Sequence, residues 1–274
     1  MAGVTIMRDK KIDIRTAIFL AAVCSQTYQQ FHDTNGTFLV PRTFQIRGII
    51  DAQALGNPLE RFGFVLESDR SIVVAFRGTG TAADLAVDMV ARQMAFPYAR
   101  KAGLTHIGFT ELYASCREPL LKLLNRLPSN KAMYVTGHSL GGALATLAGL
   151  DIALSSSRAQ PRVYTYGAPR VGDPVFARFF NRHVETSCRV SNRSDIVPRL
   201  PPLIYQSPKN DKFYYYLHVK GEYKLDFKGG SVSGNHLLAA YFNALALEDP
   251  AYAATMCSQP AGWCPVRVRR SGRG

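Results

Sequence analysis

A serine between two glycines is the feature of this sequence that most clearly points to chemistry. It lies in the run Gly137-His138-Ser139-Leu140-Gly141, after the apolar segment 132–136 and before a segment rich in alanine and leucine. A strand, a sharp turn and a helix form the setting in which such a serine becomes a nucleophile, because the turn exposes its hydroxyl. We therefore interpret Ser139 as a catalytic nucleophile. The alternative is a serine that only caps the helix.

The general base predicted for Ser139 is His236. A serine hydroxyl needs a base to take its proton, and in enzymes with this kind of turn the acid and the histidine follow the serine along the chain. With Asp195 as the acid, that order leaves two histidines as candidates, His218 and His236. His218 lies in the strand-like run 213–219, which favours a packing role. His236 follows the glycine-rich loop 229–235, from which an imidazole can reach the serine.

The carboxylate predicted to orient this histidine is Asp195. It follows the predicted strand 188–191, and a catalytic carboxylate is expected in a loop at the carboxyl end of a strand. An Asx turn before Pro198 is the alternative role. The competing acids are better explained as a helix cap or as parts of polar turns: Asp173, Asp211 and Asp226.

Two hydrogen-bond donors, the second through either a backbone N–H or a side-chain hydroxyl, are predicted to stabilise the oxyanion that forms during attack. The first is the N–H of Leu140, directly after the nucleophile. The second is expected from the loop after an earlier strand, and Thr79 in the run Arg77-Gly78-Thr79-Gly80 follows the apolar segment 71–76. The alternative is a plain turn with no catalytic role.

The elements that must position these residues alternate between strands and helices. Apolar runs predict strands at 61–67, 71–76, 132–136, 162–166 and 188–191, the first two as a hairpin, with antiparallel or irregular strands within 203–225. Helical spacing predicts helices at about 12–31, 81–94, 107–127, 140–155, 174–181 and 236–247. This alternation favours an α/β protein, with a mostly parallel central sheet and helices on both faces. A length of 274 residues favours one domain over residues 1–274.

The composition excludes disorder and coiled coil, because 47% of the residues are hydrophobic and 19% are charged. The formal net charge is +13, but the basic residues form no stripe with interleaved aromatic residues, so we predict no nucleic-acid partner. Such a surface suits transient contact with an anionic lipid–water interface. The densest basic cluster is a tail at about 265–274.

Five cysteines occur at spacings that resemble no zinc motif, and no glycine-rich phosphate loop is present, so neither a metal nor a cofactor is expected. Cys257 and Cys264 could close a small loop in an exported protein, whereas the other three cysteines are predicted to be buried thiols. The apolar stretch 17–24 is too short to span a bilayer and lacks the order of a secretory signal. The expected compartment is therefore the cytoplasm, or that of a mature secreted protein.

Taken in order, the motifs resemble those of the class 3 lipases, the family of the filamentous-fungal triacylglycerol lipases. The resemblance covers about residues 60–245. It is carried by the runs Val74-Ala75-Phe76-Arg77-Gly78-Thr79, His106-Ile107-Gly108-Phe109 with Tyr113, Gly137-His138-Ser139-Leu140-Gly141-Gly142, Thr165-Tyr166-Gly167-Ala168-Pro169-Arg170-Val171-Gly172-Asp173 and Asp195-Ile196-Val197-Pro198, and by His236. It implies the α/β-hydrolase fold and a lipase or carboxylesterase that cleaves acylglycerol esters through an acyl-enzyme. The triad would be Ser139, Asp195 and His236, with Thr79 and Leu140 as oxyanion donors.

The resemblance also implies a helical lid at about 82–98. Its apolar members would cover the site in water and lie on lipid when open: Leu85, Met89, Val90, Met94 and Phe96. The alternative is an ordinary amphipathic helix packed on the core. Many relatives carry Asp-Trp where this chain has Asp84-Leu85, which argues against strong interfacial activation.

Three other functions compatible with these motifs stay open. A phospholipase or galactolipase and a feruloyl-type esterase share the same chemistry, and pocket shape distinguishes them. A catalytically silent lipid-binding protein would share only the fold, and the intact order of serine, aspartate and histidine argues against it.

Overall fold

The computed structural model describes residues 12–53, 58–79, 91–155, 160–207 and 211–265. The strands in these ranges are Gln45–Ala52 (β1), Glu60–Glu67 (β2), Ser71–Phe76 (β3), Gln93–Ala95 (β4), Leu104–His106 (β5), Ala132–His138 (β6), Arg162–Tyr166 (β7), Thr186–Asn192 (β8), Ile204–Gln206 (β9), Phe213–Tyr215 (β10) and Glu222–Leu225 (β11). The α-helices are Ile14–His32 (α1), Ile107–Leu124 (α2), Leu140–Ser155 (α3), Pro174–His183 (α4), Val232–His236 (α5), Leu238–Ala246 (α6) and Pro250–Cys257 (α7). A 3₁₀ turn spans Val197–Arg199.

A seven-stranded sheet in the order β1-β2-β3-β6-β7-β8-β11 is the central element. Within this sheet the neighbouring strands β3, β6, β7, β8 and β11 run parallel to one another. The pairs β1–β2 and β2–β3 are antiparallel. The predicted hairpin is confirmed, since Val65 of β2 pairs with Val74 of β3. The mostly parallel sheet is confirmed as well. Because the parallel strands all end at one edge, the loops after β3, β6 and β8 lie close together there.

Apolar side chains on both faces of the sheet explain why helices cover it on both sides. Along β3, Ile72, Val74 and Phe76 belong to a core that includes α2, α3 and α4. Val73 and Ala75 alternate with them and belong to a second core, which includes α1 and α6. The stretch 17–24 is buried in this second core, as predicted. Trp263 is also fully buried there, with its ring 5.8 Å from that of Phe19, so the chain's single tryptophan does not contact solvent.

The prediction of a helix at 81–94 is wrong for residues 91–94, the part of this range that the structure describes. Residues 93–95 form β4, whose Met94 pairs with Thr105 of β5. Phe96 is buried in the first core, with its ring 5.6 Å from that of Phe176. Of the proposed lid members, Met94 thus lies in a strand and Phe96 inside the protein. The others, Leu85, Met89 and Val90, lie outside the described residues.

The C-terminal elements differ from the single predicted helix at 236–247. His236 ends the short helix α5 instead of opening the last helix, because Leu237 has an extended backbone (φ −60°, ψ 128°) and separates α5 from α6. The further helix α7 follows, capped by Asp249. The base candidate therefore lies at a break between two helices, where its orientation is set by both.

Cys257 and Cys264 form a disulfide, and Cys24, Cys116 and Cys188 are buried free thiols, as predicted for these three. The predicted basic tail lies, apart from its first residue, outside the described residues. Within the described ranges, no helix combines the length and the apolar character that a bilayer-spanning segment requires.

Candidate active site

Ser139 occupies a strained turn between β6 and α3. Its φ is +57°, in the left-handed region that non-glycine residues rarely adopt. The Ser139 N–H donates to the Tyr166 carbonyl at 2.9 Å, which ties the turn to β7. A methyl group on Gly137 would overlap the carbonyl of Gly141, and one on Gly141 would overlap the carbonyl of Phe76. The two glycines therefore permit the backbone approach that holds this conformation.

Gly137→Ala is expected to destabilise the protein by about 1–3 kcal/mol or more, because the added methyl meets backbone atoms that cannot rotate away. The urea midpoint of unfolding measures this effect. Gly108→Ala is the matched control, since a methyl there lies 3.4 Å from the His106 ring, near ordinary contact distance, and helix α2 tolerates alanine. An unchanged midpoint for Gly137→Ala would show that the turn can relax.

The structure brings together Ser139, His236 and Asp195, which are all buried. The Oγ of Ser139 lies 2.8 Å from Nε2 of His236, and Nδ1 of His236 lies 2.7 Å from Oδ2 of Asp195. A carboxylate only accepts hydrogen bonds, so Nδ1 carries the ring proton and Nε2 is free to accept from the serine hydroxyl. This arrangement can remove the hydroxyl proton while oxygen attacks a carbonyl carbon.

Besides His236, two further groups hold the Asp195 carboxylate in place. The Val197 N–H donates to Oδ1 at 2.9 Å, and the Tyr241 hydroxyl donates to Oδ2 at 2.7 Å. Burial and the adjacent Asp195 charge raise the pKa of Tyr241 well above its usual range, so this phenol keeps its proton and remains a donor. A methyl on Gly167 would lie 3.0 Å from both Asp195 and His236, so the glycine leaves room for the pair.

A second hydrogen-bonded chain supports His236 through its backbone. The Gly78 N–H donates to the Tyr28 hydroxyl at 3.1 Å, and that hydroxyl donates to Nδ1 of His138 at 2.6 Å. Nε2 of His138 then donates to the His236 carbonyl at 2.8 Å. Burial and the neighbouring His236 hold the pKa of His138 well below its usual range, so its ring stays neutral. This series of hydrogen bonds connects the loop after β3 to the base candidate, His236.

The predicted oxyanion donors lie beside the serine. Leu140 is the first residue of α3, where backbone N–H groups have no carbonyl partner within the helix. A methyl on Gly78 would lie 2.9 Å from Cβ of Ser139, so the backbone directly before Thr79 contacts the nucleophile candidate. Thr79 itself is half-buried. Its role, and that of Leu140, stay predictions.

The competing candidates take other roles. His218 donates from Nε2 to the Pro198 carbonyl at 2.6 Å, and burial, with the charges of nearby arginines, lowers its pKa to about 3. Asp173 caps α4 by accepting from the Phe176 N–H at 2.7 Å, as predicted. Among the described residues, no cluster of histidine, cysteine and acidic side chains could hold a metal ion.

Sequence reasoning missed the supporting residues Tyr28 and Tyr241. Tyr28 is one of several polar positions along α1, and Tyr241 lies in the apolar pattern of α6. Both meet the site across more than forty residues of chain, so no local spacing marks them. His138 adjoins the serine in sequence, but that position alone does not predict its bonds to Tyr28 and His236.

The chain is similar to one protein family and to several characterised lipases. The family described as "Lipase (class 3)" matches residues 73–205. A lipase of Rhizomucor miehei is 36% identical over 148 residues, which cover 51% of this chain and 40% of that protein. The secreted mono- and diacylglycerol lipase MDL2 of Malassezia globosa is 31% identical over 227 residues, which cover 77% of this chain and 73% of that protein. The chain thus spans less than half the length of the first relative and most of the second.

Solved structures give the same picture for the fold. Lipase II from Rhizopus niveus superimposes with a TM-score of 0.65 and 26% sequence identity, over 81% of this chain and 82% of that one.

Proposed function

The chain belongs to the class 3 lipase family and has the α/β-hydrolase fold, and from this premise we propose that it hydrolyses carboxylic ester bonds of acylglycerols. The observation that carries the proposal is the continuous hydrogen-bonded row from Ser139 through His236 to Asp195. A silent lipid-binding protein would have no need to keep a hydroxyl, an imidazole and a carboxylate aligned in a buried site. The row therefore favours catalysis over binding alone.

In the proposed reaction, Oγ of Ser139 attacks the ester carbonyl carbon while Nε2 of His236 takes the hydroxyl proton. Asp195 stabilises the imidazolium that results. The N–H groups of Leu140 and Thr79 stabilise the negative oxygen, and the loss of one such donor typically costs about 3 kcal/mol. His236 then gives its proton to the departing alcohol, which leaves an acyl group on Ser139. Water, activated by the same imidazole, repeats the sequence and releases the fatty acid.

Acylglycerols are the proposed substrate class because the relative matched over most of its length is named a mono- and diacylglycerol lipase. Such substrates gather at a lipid–water interface, so transient contact with that interface is part of the proposal. The basic surface of the chain, with a net charge of +13, would favour interfaces that carry anionic lipid. The Cys257–Cys264 disulfide supports a compartment that is oxidising.

The test is hydrolysis of p-nitrophenyl esters of several chain lengths, followed by diacylglycerol and phosphatidylcholine emulsions at equal molar surface concentration. Release of fatty acid from diacylglycerol at a rate well above that from phosphatidylcholine is the expected result. A preference for phosphatidylcholine would indicate a phospholipase, and feruloyl esters are the third arm. No turnover on any ester, together with no labelling of Ser139 by a fluorophosphonate, would select the silent protein.

A further inference from the structure

A polar pocket is lined in part by Asp195 but not by His236 or Ser139, and the proposed reaction uses none of its other lining residues. Its volume is about 170 Å³. Its walls come from the residues around Arg170, the end of β8, the 3₁₀ turn and the edge strand β11. We propose that this pocket binds a phosphate group. The inference goes beyond the proposed function, because binding there is measured without turnover.

The charge of the pocket is the first argument. Among the described residues that line it, four are cationic and two are acidic, an excess of two positive charges: Arg170, Arg193, Arg199 and Lys224 against Asp195 and Glu222. The oxygens of Asp195 are occupied by His236, Tyr241 and a backbone N–H. Glu222 accepts from the Ser191 hydroxyl at 2.9 Å and lies 3.5 Å from Nζ of Lys224. Nη1 of Arg193 lies 3.6 Å from Oδ2 of Asp226, outside the pocket lining. Among the described residues, Arg170 and Arg199 are therefore the lining cations without a carboxylate partner.

The second argument concerns Arg170, a charged side chain whose hydrogen-bond partners are all neutral. Its Nη1 donates to the carbonyls of Arg199 and Pro201, and its Nε is buried. Within the part of the chain that the structure describes, this Nε has no hydrogen-bond partner, and no carboxylate pairs with the guanidinium. Arg170 is half-buried, and a cation that is partly removed from water without a counter-charge is costly. An anion in the pocket would relieve this cost.

Repulsion among neighbouring cations points the same way. Arg189 is buried next to the pocket and donates from Nε to the Val219 carbonyl at 2.8 Å. Burial lowers its pKa to about 10; Glu222 partly offsets this effect, whereas the nearby Arg170 charge adds to it. Burial also lowers the pKa of Arg170. Arg170 thus lies close enough to Arg189 to disfavour its charge, an effect that a bound anion would oppose.

Phosphate is the anion that fits this chemistry best. It carries nearly two charges at neutral pH and offers several acceptor oxygens, which match planar guanidinium donors. The pocket is too small and too polar for an acyl chain. The phosphate could be free in solution or belong to the headgroup of an anionic lipid such as phosphatidic acid, and the test separates these sources.

The experiment is calorimetric titration of the full chain with inorganic phosphate, against sodium chloride at equal ionic strength. We expect one phosphate per chain. Arg170→Gln and Lys224→Gln should each weaken binding by about tenfold, the effect of losing one charge-assisted hydrogen bond. Arg178→Gln, which removes a charge from an exposed position on α4, is the matched control and should leave binding unchanged. If Arg170→Gln does not fold, Arg199→Gln takes its place.

Two results would overturn the proposal: no phosphate binding beyond the chloride baseline, or equal weakening by the pocket variants and by Arg178→Gln.

A second experiment uses vesicles of phosphatidylcholine with and without phosphatidic acid. Competition between inorganic phosphate and the phosphatidic acid vesicles assigns the pocket to a lipid headgroup. Phosphate binding without competition assigns it to a soluble phosphate. Neither phosphate binding nor vesicle competition requires Ser139, so both should be unchanged in Ser139→Ala. A failure to bind phosphate is therefore distinct from a failure of the proposed esterase function.

Discussion

Ser139→Ala is expected to lower kcat for p-nitrophenyl esters by about 10⁴- to 10⁶-fold while the protein stays folded. The physical reason is that the attacking oxygen is removed, whereas the oxyanion donors and the binding surface remain. Folding should survive because alanine and serine both carry a Cβ, so the strain at φ +57° is the same in both. Initial rates and the melting temperature of purified variant and parent measure the two quantities.

The control for this variant is Ser258→Ala, which removes an exposed hydroxyl that donates to the Thr255 carbonyl. It should retain the activity of the parent. Activity near the parent level in Ser139→Ala would place the nucleophile elsewhere. A loss of activity together with a large fall in melting temperature would indicate a folding defect instead of lost chemistry. Fluorophosphonate labelling of the parent would then locate the reactive serine directly.

The parts of the site that could be predicted from the sequence are those set by local spacing. Gly137 and Gly141 flank the serine because two backbones approach too closely for any side chain, and that steric demand shows in the sequence itself. The helix that follows was predicted at 140–155 and spans Leu140–Ser155. The position of Asp195 after a strand predicts its role, because the parallel order of β6, β7 and β8 brings that loop to the edge where Ser139 lies.

The parts that could not be predicted depend on contacts between distant segments. Tyr28 reaches His138 from the N-terminal helix, across 110 residues, and the sequence there predicts only a helix. The prediction of a helix at 81–94 rests on the helical spacing of Leu85, Met89 and Val90, but its described end forms strand β4. Pairing with β5 and burial against Phe176 decide that segment, and neither partner is near in sequence. The cationic pocket likewise combines four separate segments.

Asp195→Asn is expected to lower kcat by about 10⁴-fold with little change in KM. The amide can turn its NH₂ toward Nδ1 of His236, which then becomes the acceptor, so Nε2 carries the proton and can no longer take one from Ser139. If the amide keeps its oxygen toward Nδ1, the imidazolium still lacks a negative partner. Either orientation removes stabilisation that matters only in the transition state, so the effect falls on kcat.

The comparison that isolates this effect is Asp173→Asn, which makes the same change of group at the cap of α4, where asparagine caps as well as aspartate. It should keep the activity and the stability of the parent. Tyr241→Phe removes one of the hydrogen bonds to Oδ2 but leaves the carboxylate, so its effect on kcat should be far smaller than that of Asp195→Asn. An unchanged rate in Asp195→Asn would transfer the acid role to another carboxylate. A rate lowered equally in Tyr241→Phe would mean that the geometry of the carboxylate, more than its charge, limits the reaction.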